Sequence, residues 1–193
     1  MNEELHLRAL SLEQIRLLYE QDMTGQFGEM ELRDYQSMVS LSQRGIYKGY
    51  GLFCDETLCS YALVAHFPEM DAVLVDYLAT PDRFKNKGYG SALLRRLREE
   101  LFPDGLMLIE TEDPEHLSGE QKEFAQRRLG FYARNGFREC GVRVYLFTVW
   151  YRFYILGSAG DEQIFATAEA IYRKIVPAHL HKEFVHLYLR GEG

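Results

Sequence analysis

The stretch VDYLATPDRFKNKGYGSALLRRL, Val75 to Leu97, decides how this chain folds. It opens as an apolar strand and closes as an amphipathic helix whose stripe is Leu93, Leu94, Leu97 and Leu101. Between them lies KNKGYGS, two glycines two residues apart beside two lysines. A helix start carries N–H groups without intrahelical acceptors and a partial positive charge. Glycine there lets the backbone approach a ligand with no Cβ in the way. Such a turn suits a phosphate or pyrophosphate, with Lys85, Asn86, Lys87, Gly88, Tyr89, Gly90 and Ser91 as the candidates. The pattern G-x-x-x-x-G-K-[ST] is absent, and so is the third glycine of G-x-G-x-x-G, which excludes two familiar nucleotide loops. The structural alternative is a strand-to-helix turn that needs glycine for geometry alone.

The rest of the chain narrows the class. Its 193 residues suit one domain with an appendage, and 47% hydrophobic residues supply a core. The formal charge of −7 and the lack of any Lys/Arg-rich face argue against nucleic acid and favour cationic ligands such as amines. No apolar run reaches membrane-span length, and the opening MNEELHLRAL has no signal-peptide core, so a cytoplasmic protein is expected. Cys54, Cys59 and Cys140 form an odd set without C-x-x-C and read as free thiols. His179, His181 and His186 lack the i, i+4 spacing of paired ligands on a helix, so no metal is expected.

Hydrophobic periodicity predicts a strand over Leu5 to Leu10, then a helix opened by a Ser11/Gln14 capping box. A second helix ends near Gly45. Residues 47–67 read as a hairpin turning at Asp55-Glu56 and closed by Pro68, followed by the strand DAVLVDYLAT. After the glycine turn and its helix come the strand GLMLIETE and a helix from Gln121 to Asn135, with Phe124, Leu129 and Phe131 as core contacts. Residues 137–156 supply one or two more strands. Two helices finish the chain, Glu162 to Lys174 and Ala178 to Leu189, separated by Pro177. The whole is a mixed α/β (α+β) domain with a part antiparallel, part parallel sheet.

LATPDRFKNKGYGSALL resembles the acetyl-CoA signature of the GCN5-related N-acetyltransferase (GNAT) superfamily: an apolar strand, a short loop, then Arg/Gln-x-x-Gly-x-Gly/Ala opening a helix. GFYARNGF, Gly130 to Phe137, is similar to the later GNAT motif, in which an aromatic-Tyr pair is followed by x-x-x-Gly-Phe. The resemblance covers roughly residues 5–156. It departs from the usual pattern in three places. Lys85 stands for the common Arg or Gln, keeping the charge and losing the planar fork. Ala125 stands where many members carry Asn, and the segment EDPEHLSGEQ is long and acidic.

The resemblance implies a GNAT fold with a central sheet of about six or seven strands, and direct transfer of acetyl from acetyl-CoA to a primary amine. An alkyl ammonium of pKa about 10.4 must lose a proton before it attacks. By resemblance, a backbone N–H near Leu78 or Ala79 meets the thioester carbonyl, and Leu78 and Thr80 pair with the pantetheine amides. Tyr132 takes the place of the general acid. For the base or the amine-binding group the residues leave three carboxylates open: Asp76 in the central strand, and Glu110 and Glu112, two apart and so on one face. Each also suits a plain salt bridge.

Residues 1–156 thus read as the acetyltransferase domain and 157–193 as a helical extension packed on it. The stripe Ile164, Ala168, Ile171 and Ile175 must bury against something: the sheet, an acceptor pocket or a second copy in a homodimer. A small cationic amine is the expected acceptor. A protein or peptide N-acetyltransferase and a non-catalytic acyl-CoA sensor are the rival readings.

Overall fold

The computed structural model describes residues 4–28 and 31–190. Contacts divide the chain into two units, Met1–His66 with Val75–Pro103, and Phe67–Leu74 with Asp104–Gly193. One strand, β4 (Ala72–Ala79), contributes to both.

In the first unit the strands run in the order β1 (Leu5–Leu10), β2 (Tyr47–Cys54), β3 (Thr57–Phe67), β4. β1 pairs antiparallel with β2 from Leu5↔Cys54 to Leu10↔Gly49. β2 and β3 form the expected hairpin, with Asp55 in a left-handed conformation at its turn (φ 51°). β3 is central, and its Tyr61–Ala65 run is fully buried because both faces are covered. Helix α1 (Leu12–Leu18) opens on the expected capping box: the Gln14 N–H donates to Ser11 Oγ (3.2 Å), and the Gln14 side chain accepts from the Ser11 N–H (2.9 Å). It continues through a π-helical turn, Tyr19–Met23, into the single turn α2 (Thr24–Gln26). Helix α3 (Tyr35–Gln43) is capped by Asp34, whose carboxylate accepts from the Ser37 N–H. Helix α4 (Tyr89–Arg96) follows the glycine turn, and its Leu93, Leu94 and Leu97 are buried as the stripe requires.

In the second unit the order after β4 is β5 (Leu106–Glu112), β7 (Val149–Leu156), β6 (Arg138–Leu146), β8 (Val185–Leu189). β7 pairs antiparallel with β5 and β6, and β6 with β8. Strand partners fix the faces. Glu110 stands opposite Phe153, and Ile109 opposite Tyr154. Helix α5 (Gly119–Arg134) covers the Tyr154 face, where Tyr132 packs, and α6 (Asp161–Ile175) covers the Phe153 face, where Tyr172 packs. The stripe Ile164, Ala168, Ile171 and Ile175 is 0–4% exposed, and α6 lies along β6 and β8. Its burial partner is the sheet.

Three expectations are corrected. The last helix, α7, spans only Ala178–Phe184, and Val185–Leu189 is a strand. Its VHLYL sequence alternates, and the outer edge of β6 gives it a partner, from Leu146↔Val185 to Val142↔Leu189. With it the described residues form eight strands, against the about six or seven expected. Phe124 is not core: it is 52% exposed, with the guanidiniums of Arg127 and Arg128 each 5.8 Å from its ring. Among the described residues no helix is long and apolar enough to cross a membrane, and no cluster of three His, Cys, Asp or Glu side chains forms a metal site.

α1 lies close on β2 because residue 49 has no side chain. A Cβ there would sit 3.0 Å from two carbons of the buried Ile15 side chain and 3.1 Å from Leu63 Cδ2. Gly49→Ala is expected to destabilise by about 1–3 kcal/mol through overpacking. That corresponds to a fall in Tm of roughly 2–4 °C per kcal/mol for a chain this long, read by thermal circular dichroism.

Candidate functional site

The glycine turn belongs to the first unit. β4 ends at Ala79, and Ser60 of β3 fixes that end: its hydroxyl donates to the Ala79 carbonyl (2.8 Å) and lies 3.0 Å from Thr80 Oγ1. Leu78, Ala79 and Thr80 therefore sit on an anchored strand terminus. A 3₁₀ turn, Asp82–Phe84, leads to Asn86 and Gly88, both left-handed (φ 61° and 85°). Gly88 is the N-cap of α4, with no side-chain cap bond, and the first helical bond runs from the Ala92 N–H to the Gly88 carbonyl (2.9 Å). A Cβ at Gly88 would meet no protein atom within 4 Å. Packing therefore does not demand glycine there. The left-handed backbone angle favours it, and the space beside it is open.

Charge around the turn is mainly positive. Lys85 pairs with Asp82 (2.6 Å) at the surface, a contact that solvent weakens. Lys87 and Arg83 both lie against the ring of Phe84, at 5.5 and 4.8 Å, and Phe84 meets Tyr89 edge to face. Arg83 was not among the residues predicted from sequence. Its neighbours do not mark it, since only the folded turn brings both its guanidinium and the Lys87 ammonium against the Phe84 ring.

Asp76, in the same unit, is a held carboxylate. The Tyr47 hydroxyl donates to its Oδ2 at 2.5 Å, and Arg33 Nε lies 3.5 Å from the same oxygen. Burial, and next the negative charge of Asp76, push the Tyr47 phenol well above its ordinary pKa, so it stays a donor. The next residue, Tyr77, donates to the Glu31 carbonyl (2.8 Å) and accepts from the Arg33 N–H (2.7 Å). A second pair of this kind is Asp22, on the π-helical turn, which accepts from Tyr61 at 2.6 Å and from Gln26 at 2.6 Å. Neither tyrosine was singled out from sequence.

In the second unit Tyr132 occupies the last turn of α5, 4% exposed, among the rings of Phe131, Phe137 and Tyr154. The Gly-Phe that follows has a structural reason. Gly136 is left-handed (φ 85°), its N–H bonds to the Ala133 carbonyl, and the Phe137 N–H bonds to the Tyr132 carbonyl. This Schellman closure swings Phe137 back onto Tyr132, with ring centroids 6.0 Å apart. Burial raises the Tyr132 pKa, with neighbouring Arg128 acting the other way.

Glu110 receives a hydrogen bond from the Tyr172 hydroxyl of α6. Glu112 shares its face, two residues on, with buried Thr111 between them. Tyr132 stands on the opposite face of the β5–β7 pair from Glu110, by the register given above. The acidic segment before α5 is tied down. Asp113, 2% exposed, accepts from Arg152 (2.7 Å) and lies 3.5 Å from Arg143. Glu115 and Glu139 complete the cluster, each bound to Arg152.

No family model matches the sequence, and no curated protein matches it. Solved structures do match. A protein of Bacteroides thetaiotaomicron assigned to the GNAT acetyltransferases superposes with a TM-score of 0.68 at 19% identity, over 89% of this chain and 97% of that one. The ribosomal-protein-S18-alanine N-acetyltransferase of Escherichia coli gives 0.58 at 17% identity, over 82% and 97%. A spermidine N-acetyltransferase of Vibrio cholerae gives 0.58 at 12% identity, over 80% and 94%. With its mixed sheet, its strand–glycine turn–helix and these superpositions, the chain has the fold of the GNAT acetyltransferases.

Proposed function

We propose that this protein transfers acetyl from acetyl-CoA to the primary amine of a small cationic molecule. The observation that carries the reading is the turn at Lys85–Ser91: two left-handed residues set a helix start beside three cations, and open space lies at Gly88. Backbone N–H groups there would hold the pyrophosphate, helped by Lys85 and Lys87 as point charges. Leu78, Ala79 and Thr80 would take the pantetheine arm by strand-like pairing. Acetyl-CoA supplies an acyl group already activated as a thioester.

The chain must then manage two protons. The ammonium has to be deprotonated, and the departing sulfur has to be protonated or stabilised. Tyr132 is assigned the second task, since burial keeps its phenol protonated at neutral pH. Asp76, Glu110 and Glu112 are assigned to the amine and its proton. Asp76 and Glu110 each already accept from a tyrosine, which fixes the position of the carboxylate, and Asp76 also has the Arg33 guanidinium beside it. The acidic balance of −7 favours a cationic acceptor over an anionic one.

Titration calorimetry with acetyl-CoA, followed by thiol-release assays on amines and peptides, tests the reading. Binding with amine turnover supports it. Turnover of peptides alone would move the acceptor class, and binding without turnover would favour a sensor. Gly88→Asp is expected to abolish acetyl-CoA binding, because Asp tolerates the left-handed angle but puts bulk and negative charge at the phosphate. Unchanged affinity in a folded variant would remove the turn from the site. Tyr132→Phe is expected to keep acetyl-CoA affinity and lose about 10²–10⁴-fold in kcat. An unchanged kcat would end its assignment as the proton donor.

A further inference from the structure

We propose that the outer edge of β8 pairs with the same edge of a second copy of this chain, in an antiparallel two-fold dimer. The inference rests on the second unit alone and does not depend on acetyl transfer.

β8 ends the strand order, and its register against β6 decides which backbone groups it uses there. The Phe147 N–H bonds to the Phe184 carbonyl, and the Arg190 N–H to the Gly141 carbonyl. Bonded pairs recur at every second residue of an antiparallel ladder, so His186 and Tyr188 direct their N–H and C=O groups to β6. Val185, Leu187 and Leu189 direct theirs outward. The Val185 N–H bonds to the His181 carbonyl, whereas among the described residues the N–H groups of Leu187 and Leu189 have no backbone acceptor. A groove of about 280 Å³ runs along this edge. Val185 to Tyr188 line it in succession, with Phe165 and Glu169 of α6 as the far wall. Side chains alternate between faces, so consecutive lining residues mark the edge of the strand.

Edges are usually blunted by a charged residue, a Pro or a bulge. VHLYL contains no Lys, Arg, Asp, Glu or Pro, and its register against β6 is unbroken. The edge strand β1, by contrast, carries Arg8. The pattern of β8 is also complementary to itself. A two-fold axis at Leu187 lets each Leu187 N–H donate to the Leu187 carbonyl of the other copy. Each Leu189 N–H then meets the Val185 carbonyl of the other copy. Facing residues share a face, so Leu187 of the second copy enters the groove beside Phe165. The same axis sets Arg190 opposite Phe184 of the second copy, and so next to its Glu183. Both charged residues are exposed, and among the described residues neither has an ion-pair partner. One register thus joins outward donors to outward acceptors and unpaired charges of opposite sign, which selects a second copy over an unrelated strand.

Analytical ultracentrifugation of the full chain is expected to show a monomer–dimer equilibrium with a Kd on the order of 10 µM. Hydrogen exchange at the Leu187 and Leu189 amides is expected to slow as the concentration rises. Leu187→Pro removes an N–H that the single chain does not use, on an edge strand, where Pro is tolerated. It is expected to raise the Kd about tenfold or more with the circular dichroism spectrum unchanged. Glu183→Arg and Arg190→Glu leave the strand itself untouched. Each is expected to weaken the dimer about threefold, and the double variant to regain the wild-type Kd. A monomer at concentrations up to about 1 mM would overturn the proposal and leave the edge to an extended segment of another protein. A dimer that Leu187→Pro does not weaken would also overturn it, as would a double charge variant no tighter than the single ones.

Discussion

The candidate site depends on one backbone constraint, the left-handed conformation at residue 88. Most N-caps in this chain, Ser11, Asp34, Ser118 and Gly160, are extended, whereas Gly88 at φ 85° starts α4 from the left-handed region with no side chain in the way. Asn86, itself left-handed at φ 61°, sets up the reversal two residues earlier. Both residue types tolerate that region, Gly freely and Asn better than most. No side chain caps the start of α4, and a Cβ at Gly88 would meet no protein atom within 4 Å. In the proposed reading, fold geometry and anion binding would share one cause, and the lysines would add charge to a site that the backbone makes.

A second theme is the treatment of carboxylates. Asp22, Asp76 and Glu110 each accept from a tyrosine hydroxyl, Tyr61, Tyr47 and Tyr172 in turn, and Asp76 also has Arg33 Nε 3.5 Å away. Removing a carboxylate from water costs several kcal/mol unless donors replace the lost hydration. A phenol supplies a donor without neutralising the charge. Burial and the adjacent anion raise the phenol pKa, so the donor does not ionise. The Asp113 cluster shows the contrasting solution. There two guanidiniums, Arg143 and Arg152, neutralise the buried charge and fasten the segment before α5. A carboxylate held by two guanidiniums has little field left to offer a further cation.

Much of the architecture was legible because it rests on local patterns. The capping box at Ser11, the hairpin at Asp55, the strand β4 and the stripe of α6 all stand where periodicity and turn chemistry put them. The last strand was missed because HLHKEFVHLYL carries both helical spacing and strict alternation, and only the vacant edge of β6 selects the second. Phe124 was misplaced because a helix with few apolar residues at regular spacing gives a weak stripe, with Ala125 and Tyr132 its buried members. In the candidate site the turn was legible as backbone, since glycine spacing reports backbone angles. The tyrosine partners were not. Tyr47 and Asp76 are 29 residues apart, and Glu110 and Tyr172 are 62 apart, so only tertiary packing joins them.

The Gly-Phe after Tyr132 illustrates how a motif can have two causes at once. As a helix terminator it needs nothing beyond the Schellman bonds and the contact of Phe137 with Tyr132. One of those bonds ends on the Tyr132 carbonyl, which accepts from the Phe137 N–H, so the closure also holds the backbone from which the phenol projects. A hydroxyl that is to meet a reacting atom must be held to within a fraction of an ångström, and helix ends ordinarily fray. Closing the helix at Gly136 removes that freedom for the residue three positions inside the cap. The rings of Phe131, Phe137 and Tyr154 restrict the side chain in turn. Glu110, by contrast, faces α6 and takes its position from Tyr172. The two groups are thus set by independent supports on opposite faces of one strand pair, so a substitution that disturbs one support leaves the other in place.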